Sequence, residues 1–157
     1  MIEGKTLKDN RVNLSFTNRQ HSNLKRFSVS LNMRISSLGA LLLDIGLSDK
    51  KLIKELEQER LIHGSQLIEA KGGGNKKINR VNLSLTNQQF MKLKRLSMRL
   101  NIRHTKLAAV IIEKCLSNVG LINMLQDKYC TQKAYRIVPI NNGGGELTFV
   151  LTGRDDL

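Results

Sequence analysis

With 157 residues and 40% apolar content, the chain has room for one or two small domains around an ordinary core. Its 26 lysines and arginines against 13 acids leave a formal charge of +13, which points to a phosphate-rich or otherwise anionic partner. No apolar run approaches a membrane span, the first residues lack the apolar core of a signal peptide, and Cys115 and Cys130 show neither metal nor redox spacing, so a cytosolic chain with free thiols and no membrane partner is predicted.

The first predicted element is a strand. From Arg11 to Thr17 the sequence alternates, with Val12, Leu14 and Phe16 on one side and Arg11, Asn13, Ser15 and Thr17 on the other, as in a half-buried strand. Thr17-Asn18-Arg19-Gln20 then reads as a capping box, in which the Thr and Gln side chains satisfy free backbone amides at a helix start. The helix carries Leu24, Phe27 and Leu31 on one stripe, and Asn32 suits the left-handed residue that ends it. Ser36 is placed to cap a second helix, whose apolar stripe is Leu38, Leu41, Leu42 and Ile45. A third, shorter helix starts near Asp49 with Leu52, Ile53 and Leu56.

Residues 49–78 form a connector. Lys50 to Glu59 is a charged helical stretch, Gly64 interrupts a second apolar patch at Leu67-Ile68, and Gly72-Gly73-Gly74 with Lys76-Lys77 reads as a flexible basic hinge. Beyond it the first unit is written again. Residues 79–128 align with 10–59 without a gap and share 23 identical residues in 50 positions. The second strand sets Val81, Leu83 and Leu85 against Arg80, Asn82, Ser84 and Thr86, and Thr86-Asn87-Gln88-Gln89 repeats the capping box. Leu93, Leu96 and Leu100 follow, then Asn101, a cap at Thr105, the stripe Leu107, Val110 and Ile111, and a third helix near Asn118 with Leu121, Ile122 and Leu125. In the last segment, 133–153, Arg136 to Ile140 and Glu146 to Thr152 are β-rich and flank Asn141-Asn142-Gly143-Gly144-Gly145. A hairpin is predicted, with Pro139 at an edge position. Partner binding, self-association and simple covering of the core stay open as its role.

Charge is segregated in both copies. No acid occurs from Asn10 to Leu43, nor from Ala70 to Ile112, where ten basic residues sit. The front half of each repeat is therefore the predicted anion-facing part. The second copy is the more basic, with Lys92 and Arg99 in place of Asn23 and Ser30, so a pseudo-symmetric reader with unequal phosphate grip is expected to favour one orientation on asymmetric DNA.

One strand alone would leave its backbone unpaired, whereas two equivalent strands can pair antiparallel, within one chain or by exchange between two chains. The polar face of that ribbon shows Arg11, Asn13, Ser15, Arg80, Asn82 and Ser84 to solvent. A two-stranded ribbon fits the major groove, where Arg can be bidentate to guanine and Asn to adenine. The start of the second helix offers backbone amides and a positive dipole end to a phosphate.

The alternating strand, the capped helix and the Asn-x-Arg-x-Ser/Thr turn into a second helix resemble the ribbon-helix-helix family, which includes the Arc and MetJ repressors. The tandem format is similar to that of TraY-type accessory proteins of conjugative relaxosomes. The resemblance covers residues 10–48 and 79–117. It implies a mainly α fold with a short two-stranded antiparallel ribbon, built as a tandem ribbon-helix-helix repeat, to which the sequence adds a C-terminal β-hairpin. It implies base reading by Arg11, Asn13, Ser15, Arg80, Asn82 and Ser84, and phosphate anchoring around Ser36-Ser37 and Thr105-Lys106. Thr17, Lys25, Arg26, Arg34, Thr86, Lys94, Arg95 and Arg103 complete the candidate phosphate contacts.

The expected partner is double-stranded DNA, with self-association on DNA and a relaxase or other protein at the hairpin as further candidates. His21, His63 and His104 have no ligand spacing, so no metal and no cofactor are expected. No phosphate loop, no carboxylate pair in the basic windows and no Ser or Cys beside a base is found, so a binding protein rather than an enzyme is predicted. The predicted function is sequence-specific regulation of transcription, as a repressor of plasmid, phage or other mobile-element origin in the bacterial cytosol. Relaxosome assembly at a transfer origin uses the same contacts and is the alternative. An antitoxin fits less well, because toxin-masking tails are usually disordered and this one is patterned as a hairpin.

Overall fold

In a computed structural model, which describes residues 10–63, 79–129, 135–141 and 147–153, the two copies fold alike. The first gives β1 (Asn10–Phe16), α1 (Asn18–Leu31), α2 (Ile35–Leu47) and α3 (Lys50–His63). The second gives β2 (Asn79–Leu85), α4 (Asn87–Leu100), α5 (His104–Leu116) and α6 (Val119–Tyr129), and the chain closes with β3 (Tyr135–Asn141) and β4 (Leu147–Gly153). The protein is thus mainly α with two small antiparallel two-stranded sheets. The Gly72–Gly74 hinge lies outside the described residues.

Local chemistry sets the element ends. At α1 the Thr17 hydroxyl accepts from the Gln20 amide at 3.2 Å, and the Thr17 amide donates to the Gln20 side chain at 2.9 Å. Thr86 and Gln89 repeat this at α4 with 3.1 and 2.9 Å. Both helices stop where Asn32 (φ 58°) and Asn101 (φ 56°) turn left-handed, a conformation Asn tolerates better than most residues. Asp49 and Asn118 cap the third helices through their side-chain oxygens. The Ser36 and Thr105 caps are not formed. The N-caps of α2 and α5 are Arg34 and Arg103, with no side-chain cap bond, because the chain enters each helix directly from the Asn turn and leaves Ser36 and Thr105 inside the first turn.

β1 and β2 pair antiparallel within one chain, in a register that sets Arg11 opposite Ser84, Asn13 opposite Asn82 and Ser15 opposite Arg80. The pseudo-twofold axis therefore passes between Asn13 and Asn82. Val12, Leu14, Phe16, Val81, Leu83 and Leu85 are buried beneath the ribbon. The second helix of each repeat lies on the strand of the other, α2 on β2 and α5 on β1, and α2 and α5 pack together. Neither repeat encloses its own strand, so the core exists only when both are present.

The apolar face of α2 is wider than the stripe read from sequence. Leu41 and Ile45 are half-buried, while Leu43, Gly46 and Leu47 are buried, since α2 touches both α5 and β2. A Cβ on Gly46 would lie 2.2 Å from Ile111 Cγ2, so the helices can approach this closely only with glycine there. Its counterpart, Cys115, is buried, and its thiol donates to the Leu42 carbonyl at 3.5 Å.

The second sheet breaks the symmetry. β3 and β4 pack on α1, with Phe149 and Ile137 in the core and the Phe27 and Phe149 rings edge to face at 5.9 Å. Each strand edge is held by one carboxamide. Asn23 donates to the Leu147 carbonyl and accepts from the Phe149 amide, both at 2.9 Å. Gln126 of α6 donates to the Ile137 carbonyl at 3.2 Å and accepts from its amide at 2.7 Å. The hairpin thus covers α1 and α6.

Asn23→Ala removes one clamp and leaves two β4 backbone groups without partners, a loss of about 2–4 kcal/mol. The expected result is a lower urea midpoint and fast hydrogen exchange at the Phe149 amide. Unchanged protection at that amide would show that Asn23 does not hold the hairpin.

Candidate nucleic-acid interface

The solvent face of the β1–β2 ribbon is polar along its whole length. Arg11, Asn13, Arg80 and Asn82 are exposed, and Ser15 and Ser84 are half-buried. Because the pseudo-twofold axis carries each residue onto its equal in the other strand, the six form a symmetric array with the asparagines central and an arginine toward each end. No acid lies on either strand.

Four asparagines missed by the sequence reading hold the ribbon ends. Asn10 Nδ2 donates to Asn87 Oδ1 and Asn79 Nδ2 to Asn18 Oδ1, each at 2.7 Å. Each repeat's strand is thereby tied to the first helix turn of the other. Their identity in both copies was the only signal. Gln20 likewise donates from its side chain to the Glu113 carboxylate of α5.

At the starts of α2 and α5 the first helical bonds run from Leu38 to the Arg34 carbonyl (3.0 Å) and from Leu107 to the Arg103 carbonyl (2.9 Å). The amides of residues 35–37 and 104–106 therefore precede the helical ladder and carry the positive end of the helix dipole. Arg34, Ser37, Arg103 and Lys106 are exposed there, and Ser36 and Thr105 are half-buried.

Other candidate phosphate contacts fare unequally. Lys25 and Arg95 are exposed, and Lys94 is half-buried with its ammonium 5.9 Å from the Phe90 ring centre. Thr17 and Thr86 are occupied as caps, and Thr86 is only 9% exposed. Arg26 donates to the Phe149 carbonyl at 3.0 Å, so part of its guanidinium is committed to the hairpin.

His104, in the first turn of α5, stacks edge to face on Phe90 at 5.7 Å. Partial burial, and then the nearby Lys94 ammonium, hold its pKa below the ordinary 6.5. Between the ordinary and the lowered value the unfolded chain binds more protons than the folded one. This contribution to stability is complete above about pH 6.5 and is lost as the pH falls through that range. His104→Ile, which installs the residue of the first repeat, is expected to flatten the acid limb of thermal stability between pH 7 and 5. An unchanged limb would assign it to other groups.

Burial, with a smaller effect from Asp49, pushes the Cys115 thiol up to about 12, where it is unreactive. Among the described residues no group of three His, Cys, Asp or Glu side chains could hold a metal ion. Among them, too, no single helix is long and apolar enough to cross a membrane. Comparisons with family models, curated proteins and solved structures find no match to this chain.

Proposed function

We propose that the chain is a tandem ribbon-helix-helix protein that binds double-stranded DNA sequence-specifically, with the β1–β2 ribbon in the major groove. One observation carries this: the identical polar residues of both repeats meet on one solvent face, in matched register, over a fully apolar underside. Arginine bidentate to guanine and asparagine bidentate to adenine each discriminate by about 1–3 kcal/mol. The exposed cations at the starts of α2 and α5 supply the sequence-independent attraction to phosphate. Occupying an operator in this way is the action of a transcriptional repressor. One ribbon spans few base pairs, so useful affinity calls for several chains on repeated or inverted sites.

The test is selection from a randomised duplex library with the full chain. A short enriched motif, with binding that weakens steeply as salt rises, is the expected outcome. Recovery of no motif above background would overturn the proposal.

A further inference from the structure

The reading face is symmetric and its surroundings are not. Across the ribbon axis Arg11, Asn13 and Ser15 are matched by Arg80, Asn82 and Ser84, so the bases of a palindromic core look the same to the ribbon after a half turn. Whatever distinguishes the two orientations must lie on the flanks.

There the duplicated positions have diverged in one direction. On the first flank Asn23 is buried under β4, Arg26 is exposed but bonded to the Phe149 carbonyl, and position 37 is a serine. On the second flank the same positions are Lys92, Arg95 and Lys106, all exposed. The hairpin therefore covers one face of α1 and engages Arg26, leaving Lys25 and Arg26 exposed there, while α4 and the first turn of α5 carry the additional cations Lys92 and Lys106. Charges within about 10 Å of a phosphate are felt without direct contact at moderate salt.

Building on the DNA-binding function above, we propose that the protein binds DNA with a preferred polarity: the second repeat grips the flanking backbone more strongly than the first, whose α1 is partly covered by the β3–β4 hairpin. Symmetric base contacts set where the chain binds, and the Lys92, Arg95 and Lys106 flank sets which way round. A homodimer of single repeats would have two equal flanks and no such preference.

The probe is a palindrome built from the selected half-site, carried on a duplex with both flanks long, one flank cut back to the core, or both cut back. A polar binder turns its cationic flank toward whichever side remains, so removing one flank costs only the statistical factor of about two. Removing both is expected to cost tenfold or more at low salt and to flatten the salt dependence, with each lost phosphate contact worth a slope of about 0.9. The variant Lys92→Asn with Lys106→Ser gives the second flank the residues of the first at these two positions. It should bind all three duplexes more nearly alike and keep the selected core motif.

Equal stepwise losses on cutting the first and then the second flank would overturn the polarity while leaving DNA recognition intact. Absence of any core motif would overturn DNA recognition itself. If the double variant keeps the full difference between one cut and two, the polarity does not come from this flank.

Discussion

Replacing Arg11 and Arg80 together by alanine is expected to remove most of the sequence preference while leaving salt-sensitive binding in place. The two guanidinium groups stand at opposite ends of the exposed ribbon face, each paired across the strands with a serine. Two bidentate contacts at about 1–3 kcal/mol each imply a loss of at least about thirtyfold in the ratio of specific to non-specific affinity. Phosphate attraction from Arg34, Arg103 and Lys106 does not depend on the bases and should survive. The fold should survive as well, since both arginines are exposed. Competition between the selected duplex and a scrambled one measures the ratio. A double variant with full selectivity would remove the ribbon from base reading. Replacing Lys94 and Arg95 should act in the opposite sense, weakening all duplexes alike.

Leu83→Ala is expected to destabilise the protein by about 2–5 kcal/mol, a large part of the usual 5–15 kcal/mol of a domain. Leu83 is fully buried, and its Cδ2 would lie 2.7 Å from a Cβ built on Gly39 of α2. It is a knob of the second repeat set into a hole of the first. Its removal opens a cavity at the contact that joins the halves, so denaturant stability and DNA binding should fall together. Gly39→Ala supplies the control. In the natural chain the added methyl presses on Leu83 and offsets the gain of about 1 kcal/mol in helix propensity. In the Leu83→Ala background it fills vacated space and should recover 1 kcal/mol or more, on the order of the propensity gain. Additive effects in this cycle would show that the two residues do not share the contact.

Much of the fold was legible because it is encoded over a few residues. Strict alternation predicts the strands, and which residues face outward follows from a period of two. Thr and Gln three apart define each capping box, and Asn32 and Asn101 mark the left-handed stops. The helix caps at Ser36 and Thr105 failed because the Asn turn already fixes how the chain enters α2 and α5. The exposure of Arg11, Asn13, Arg80 and Asn82 could be read from that same alternation. The commitment of Arg26 and the burial of Asn23 could not, because their partner strand lies more than a hundred residues away.

By itself, then, the sequence determined the duplicated strand and helices, the polar face of each strand and the unequal charge of the two copies. All of these depend on neighbours within a turn or two of chain, or on simple counting. Tertiary structure decided that the strands pair within one chain, that each second helix covers the other repeat's strand, and that the hairpin lies on α1 rather than α4. Those outcomes rest on shape: glycine at positions 39 and 46 where the other repeat presses in, and the Asn23 carboxamide, which fits a strand edge where Lys92 cannot. Such complementarity exists only after distant segments meet, so no local pattern records it.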